Sequence, residues 1–151
     1  MPKTFRLLYI SVSGNTRHFV ENLVNYVVDN SVDFIIEPVE VSDGSLDRIE
    51  TEPFFAAVPT YLDGGNGIDN GVKEILTNAL FDQIDYLDSP QNLIGVIGSG
   101  NKNFNAQYVL TAKRYAETFN APLIGDYELR GTQADVKRIY EALVETVKDY
   151  L

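Results

Sequence analysis

The apolar run Phe5-Arg6-Leu7-Leu8-Tyr9-Ile10 empties into Ser11-Val12-Ser13-Gly14-Asn15-Thr16, and an amphipathic helix pattern begins at once. A strand that passes through a short loop of hydroxyls, an amide and a glycine into a helix N-terminus opens a parallel crossover unit. It is also built as a phosphate cradle. The hydroxyls and loop N–H groups can surround phosphate oxygens, and the positive end of the helix dipole faces the anion. Gly14 lets the backbone turn tightly with no Cβ in the way. The loop has neither the lysine of a nucleoside-triphosphate loop nor the glycine triplet of a dinucleotide fingerprint, so it suits one terminal phosphate. The plainer alternative is an ordinary strand-to-helix turn with Thr16 as N-cap.

The order of elements reads strand, helix, strand, strand, helix, strand, helix, strand, helix. The first helix, Thr16 to Asp29, carries Val20, Leu23, Val24, Val27 and Val28 on one stripe, the spacing of a core-facing helix. Strand two is Phe34-Ile35-Ile36 and ends near Pro38. From Val41 to Glu52 the chain is too short and polar for a full helix, which predicts an irregular crossover around Leu46 and Ile49. Strand three, Phe54 to Val58, is apolar throughout and suits burial on both faces. Val72, Ile75, Leu76, Ala79 and Leu80 have helical spacing. Strand four is Leu93 to Ile97. A helix near Ala106 to Phe119 turns Val109, Leu110, Ala116 and Phe119 inward. Strand five spans Pro122 to Leu129, and the closing helix carries Val136, Ile139, Tyr140, Leu143, Val144 and Val147.

Strands alternating with crossover helices predict an α/β fold: a flavodoxin-like, doubly wound, five-stranded parallel sheet of order 2-1-3-4-5 with helices on both faces. With no repeat or linker, residues 1–151 are expected to form one domain. Zero cysteines exclude disulfides, thiol redox chemistry and thiolate metal sites, so any redox activity requires a bound cofactor. The net charge of −10 excludes the basic footprint that nucleic-acid binding needs. No apolar stretch is long enough for a membrane span and no signal peptide opens the chain, so a cytoplasmic location without membrane attachment is expected.

In the predicted topology the ligand crevice lies at the carboxyl ends of strands one, three and four. The loops there are the most unusual in the sequence. After strand three comes Pro59-Thr60-Tyr61-Leu62-Asp63-Gly64-Gly65-Asn66-Gly67-Ile68-Asp69-Asn70-Gly71, with four glycines in thirteen residues. After strand four comes Gly98-Ser99-Gly100-Asn101-Lys102-Asn103-Phe104-Asn105. Each holds one aromatic residue, Tyr61 or Phe104, able to stack on a planar ring. Plain turns and ring plugs would also use these residue types. A phosphate at one end and two aromatic walls at the other describe a flavin mononucleotide (FMN) pocket.

These segments have a family likeness. Residues 11–16 resemble the flavodoxin phosphate loop, and residues 59–67 and 98–105 resemble the two flavin loops of the NrdI family, flavodoxin-like proteins that serve class Ib ribonucleotide reductase. Leu110-Thr111-Ala112-Lys113 and Leu129-Arg130-Gly131-Thr132 extend the similarity along the chain. The resemblance implies a non-covalent FMN whose reduced form reacts with dioxygen. It also implies an NrdF-type dimanganese subunit as the partner that receives the oxidant for tyrosyl-radical formation, and a flavodoxin or flavin reductase as electron donor. Carried over by motif, Ser11, Ser13, Gly14, Asn15 and Thr16 would hold the phosphate. Pro59, Thr60, Tyr61, Gly64 and Gly65 would form one wall, and Gly98, Ser99, Gly100, Asn103 and Phe104 the other. The flavin carries the chemistry, so no catalytic side chain and no metal ligand is expected.

Other polar residues read as structural. His18, the single histidine, falls on the outer face of helix one with Asn22, Asn25 and Asp29. Asp43 to Glu52 reads as a solvated crossover without the ligand alternation of a calcium loop. Thr132 caps the last helix, and Arg17, which could approach the phosphate, is expected to point to solvent from the first turn of its helix. A generic one-electron flavodoxin is the alternative function. A response-regulator-like domain is a third, against which Val58-Pro59-Thr60 stands where a phosphorylatable Asp would be needed.

Overall fold

A computed structural model describes residues 2–11, 14–42, 44–45, 48–63, 73–75, 78–101 and 109–151. In chain order the elements are β1 (Lys3–Tyr9), α1 (Asn15–Asn30), β2 (Phe34–Glu40), β3 (Phe54–Pro59), β4 (Tyr61–Asp63), β5 (Lys73–Ile75), α2 (Asn78–Ile84), β6 (Leu93–Gly100), α3 (Leu110–Thr118), β7 (Leu123–Glu128) and α4 (Gln133–Val147). The main sheet has the order β2-β1-β3-β6-β7, and every pairing in it is parallel. With the short β4–β5 pair set aside, this is the 2-1-3-4-5 order that the sequence predicts.

Alternation along the central strands divides the core into two layers. Phe5, Leu7 and Tyr9 of β1, with Phe55 and Ala57 of β3, join Phe19, Val20, Leu23 and Val27 of α1 and Val136, Ile139, Leu143 and Val147 of α4. Leu8, Phe54, Ala56 and Val58 face the other way, onto Leu80 and Ile84 of α2 and Val109, Ala112, Tyr115 and Phe119 around α3. Each large apolar side chain so buried contributes about 1.5–3 kcal/mol relative to exposure. The wholly apolar character of β3 follows from being covered on both faces.

Four expectations need correction. Val28 is 58% exposed; the inward stripe of α1 runs through Thr16, Phe19, Val20, Leu23 and Val27, with the Phe19 ring stacked 3.7 Å from that of Tyr127. β2 continues past Pro38 to Glu40, which an edge strand tolerates because a missing N–H costs no ladder bond there. Ile75 lies on β5, paired with Tyr61 in an antiparallel ladder, and α2 begins only at Asn78. The helical spacing from residue 72 to 80 therefore spans two different elements. In the crossover before β3, Glu50 is only 3% exposed. Its carboxylate accepts from Arg6 Nε at 2.8 Å, its N–H donates to Ser89 Oγ at 2.7 Å, and its carbonyl accepts from Asn92 Nδ2 at 2.8 Å. Polar ties do there what a helix would do in a regular crossover.

Candidate functional site

The carboxyl ends of β1, β3 and β6 lie side by side in the sheet, and the loops leaving them carry the predicted site residues. Gly14 is the N-cap of α1 at φ +90°, a conformation strained for any residue with a Cβ, and it makes no side-chain cap. Ser11 supplies one from outside the helix: its Oγ accepts the Arg17 N–H at 3.3 Å. Asn15 is the first residue of α1 and is half-buried. Thr16 follows it, is 1% exposed, and its Oγ1 is buried without a hydrogen-bond partner among the described residues. A buried hydroxyl in that condition costs about 1–3 kcal/mol. An acceptor supplied by a ligand would remove the cost, and the positive end of α1 favours an anionic one.

The strand ends that lead into the second and third loops are tied together. Pro59 pairs with Ser99 in the β3–β6 ladder, and the Thr60 N–H donates to the Ser99 carbonyl at 2.8 Å. Thr60 Oγ1 accepts the Thr111 N–H at 2.9 Å, capping the first turn of α3 from a position far away in sequence. Pro59, Thr60, Ser99 and Thr111 are all buried. The Gly100 carbonyl accepts the Leu129 N–H at 2.9 Å, so the end of β7 is bound to the same rim. At Gly98 a Cβ would lie 2.8 Å from Ala112 Cβ and 3.3 Å from Val109 Cβ. Glycine is required there by the close seating of α3 on β6, whatever the site binds.

Arg17 does not simply point to solvent. Its Nε and Nη2 each donate to the Glu40 carboxylate at 2.7 Å, although the arginine side chain is 46% exposed. Tyr9 OH donates to the same carboxylate at 3.1 Å. The Arg17 hydrogen bonds hold the Glu40 carboxyl below the usual range, against partial burial. Burial, then the hydrogen bond to Glu40, pushes the Tyr9 phenol up to about 12. Sequence reasoning missed Tyr9, Glu40 and Thr111. Tyr9 and Glu40 end adjacent parallel strands, the one available clue. His18 is exposed on the outer face of α1, 3.2 Å from Asn22 Nδ2.

Thus Ser11, Gly14, Asn15 and Thr16 come together at one loop, and Pro59, Thr60, Gly98, Ser99 and Gly100 at the adjoining strand ends. Ser13, Gly64, Gly65, Asn103 and Phe104 lie outside the described residues, as does the Tyr61 ring, although the Tyr61 backbone begins β4. Among the described residues no cluster of three or more metal-ligating side chains occurs, and no helix is long and apolar enough to cross a membrane.

The family described as NrdI flavodoxin-like matches residues 7–141. This chain belongs to that family. An NrdI-like protein of Streptococcus pyogenes serotype M3 is 47% identical over 140 residues, spanning 92% of this chain and 87% of that protein. Protein NrdI of Bartonella tribocorum is 36% identical over 130 residues, spanning 85% of this chain and 84% of its own length. Among solved structures, a short-chain flavodoxin associated with a bacterial microcompartment superposes with a TM-score of 0.71 at 19% identity, covering 99% of both chains. The Streptococcus pneumoniae TIGR4 flavodoxin superposes at 0.64 with 18% identity, covering 98% of this chain and 99% of its own. At such identity the structural likeness shows the fold, and the NrdI assignment rests on the sequence relatives.

Proposed function

We propose that this NrdI-family chain binds FMN at the carboxyl ends of β1, β3 and β6 and, with the flavin reduced, serves the dimanganese subunit of a class Ib ribonucleotide reductase. The observation that carries the binding reading is the Thr16 hydroxyl, buried and without a hydrogen-bond partner among the described residues, beside the left-handed Gly14 turn. Loop N–H groups, Ser11, Ser13, Asn15 and Thr16 would hold the phosphate. Pro59, Thr60 and Tyr61 with Gly64 and Gly65 would border one side of the ring. Gly98, Ser99 and Gly100 with Asn103 and Phe104 would border the other.

When bound and reduced, FMN would supply reaction with dioxygen and so an oxidant for tyrosyl-radical assembly in the partner, a flavodoxin or flavin reductase having supplied the electrons. The chain's own contribution is positional. The Thr60–Ser99 and Thr111–Thr60 bonds tie together the strand ends from which the two loops leave and the first turn of α3. The amino end of α1 supplies a neutral, donor-rich seat for the phosphate.

The test is reconstitution of the apoprotein with FMN, reduction, and aerobic mixing with manganese-loaded partner, reading tyrosyl-radical yield by electron paramagnetic resonance. Stoichiometric FMN and radical formation support the reading. Equal activation by an unrelated flavodoxin would return the chain to the one-electron carriers, and absence of flavin binding would overturn the reading altogether.

A further inference from the structure

The Arg17–Glu40–Tyr9 group lies beside the phosphate loop and has no part in the function proposed so far. Tyr9 is the last residue of β1, and Arg17 is in the first turn of α1. The loop runs between them. Glu40 comes from the end of β2, paired in register with Tyr9, and the following Val41 N–H donates to the Tyr9 carbonyl at 2.7 Å. One carboxylate therefore holds a side chain at each end of the loop: the Tyr9 hydroxyl at 3.1 Å and the Arg17 guanidinium through two bonds of 2.7 Å.

A bidentate guanidinium–carboxylate pair fixes orientation as well as distance, because both groups are planar forks. Here it sets the rotation of the first turn of α1 relative to the sheet edge. The Arg17 backbone N–H meanwhile holds Ser11 Oγ at 3.3 Å, inside the loop. Loop ends, first turn and loop hydroxyl thus belong to one connected set.

We propose that Glu40 is a positioning residue for the phosphate loop, a clamp that holds Tyr9 and Arg17 at the separation a bound phosphate needs. The inference rests on the FMN reading above and adds to it a residue outside the loop. Fixing the loop ends before binding lowers the ordering cost of binding. The carboxylate holds Arg17 through Nε and Nη2, and the arginine acts through the geometry that this fixes.

The test compares FMN with riboflavin, which has the same ring system and no phosphate, on wild type, Glu40→Gln, Arg17→Gln and the double variant. Each single substitution should raise the FMN dissociation constant about three- to fivefold, in keeping with a part-exposed ion pair. The double variant should lose no more than either single one, since both remove the same clamp. Riboflavin affinity should stay at the wild-type value, which a general loosening of the fold would not leave intact. Tyr9→Phe should give a smaller rise for FMN alone. Tighter FMN binding by Glu40→Gln would overturn the clamp, showing that Glu40 diverts Arg17 from the phosphate. Unchanged FMN affinity in both single variants, or equal losses for FMN and riboflavin, would also overturn it. Wild-type protein that binds no FMN would instead defeat the reading on which the clamp rests.

Discussion

Replacement of Thr16 by valine separates the needs of the folded chain from those of a ligand. Valine keeps the branched shape and most of the volume of threonine and removes the hydroxyl. In the apoprotein that hydroxyl is buried with no partner among the described residues, in a side chain 1% exposed. Its removal should stabilise the apoprotein by up to about 1–3 kcal/mol. For a chain of this length that is a rise of about 2–4 °C in Tm for each kcal/mol. With FMN bound, the same hydroxyl would donate to a charged oxygen, a bond worth about 1.5–3 kcal/mol. Flavin affinity, read by fluorescence quenching, should therefore fall about ten- to a hundredfold. Saturating FMN at a hundred times its dissociation constant adds about 2.7 kcal/mol to wild-type stability, and the variant should lose about 1.3–2.3 kcal/mol of that gain. The two effects have opposite signs, so the Tm advantage of the variant over wild type should shrink as FMN is added. An apoprotein destabilised by the substitution, together with unchanged FMN affinity, would refute the reasoning: the hydroxyl would then serve the fold and not the ligand.

Gly98→Ala sets a Cβ 2.8 Å from that of Ala112 and should destabilise the fold by about 1–3 kcal/mol in urea unfolding, with or without flavin. Tyr61→Ala and Phe104→Ala should each weaken FMN by at least the roughly 0.5–1.5 kcal/mol of an aromatic pair, seen in titration and in a shifted visible spectrum. Asp135 is partly buried, which opposes ionisation, but bonds from Arg138, the Thr132 N–H and the Thr132 hydroxyl outweigh this and lower its pKa. A lowered folded-state pKa contributes stability that is present above the unfolded carboxylate range and lost as pH falls through the folded value. Glu40 has the same sign, so acid unfolding should steepen below about pH 4, and Asp135→Asn should flatten that part of the profile.

Sheet order, both core layers and the closing helix were legible because long apolar periods decide them. Val136, Ile139, Leu143 and Val147 face inward as their spacing requires. Thr132 caps α4 as expected, and Asp135 returns the bond in a full capping box. What was not legible depends on contacts distant in sequence. The β4–β5 ladder pairs Tyr61 with Ile75, and Thr60 caps a helix beginning at Leu110. Glu50 looks like one more acid in a polar crossover, and only Arg6, Ser89 and Asn92 explain its burial. Arg17 reads as a solvated first-turn residue until the end of β2 brings Glu40 to it. Local pattern singled out the loops of the candidate site, whereas the partners of its polar side chains came from the topology.

Those partners also reconcile the proposed anion site with a chain of net charge −10. At physiological ionic strength exposed charges are largely screened beyond about 8 Å, so the distant acids scattered over the surface matter less than the groups touching the loop. Glu40 is hydrogen-bonded to Tyr9 and Arg17 at the two ends of that loop, and the two 2.7 Å bonds to Arg17 compensate its charge locally. With that pair neutral as a unit, the local field is set by the amino end of α1 and by hydroxyl and amide dipoles. Dipoles fixed in the fold hold an anion without releasing mobile counterions, unlike a surface lined with lysines. FMN affinity should therefore change little as sodium chloride is raised above physiological ionic strength. A steep loss of wild-type affinity with added salt would mean that a cation holds the phosphate, and the neutral seat inferred from Ser11, Gly14 and Thr16 would be wrong.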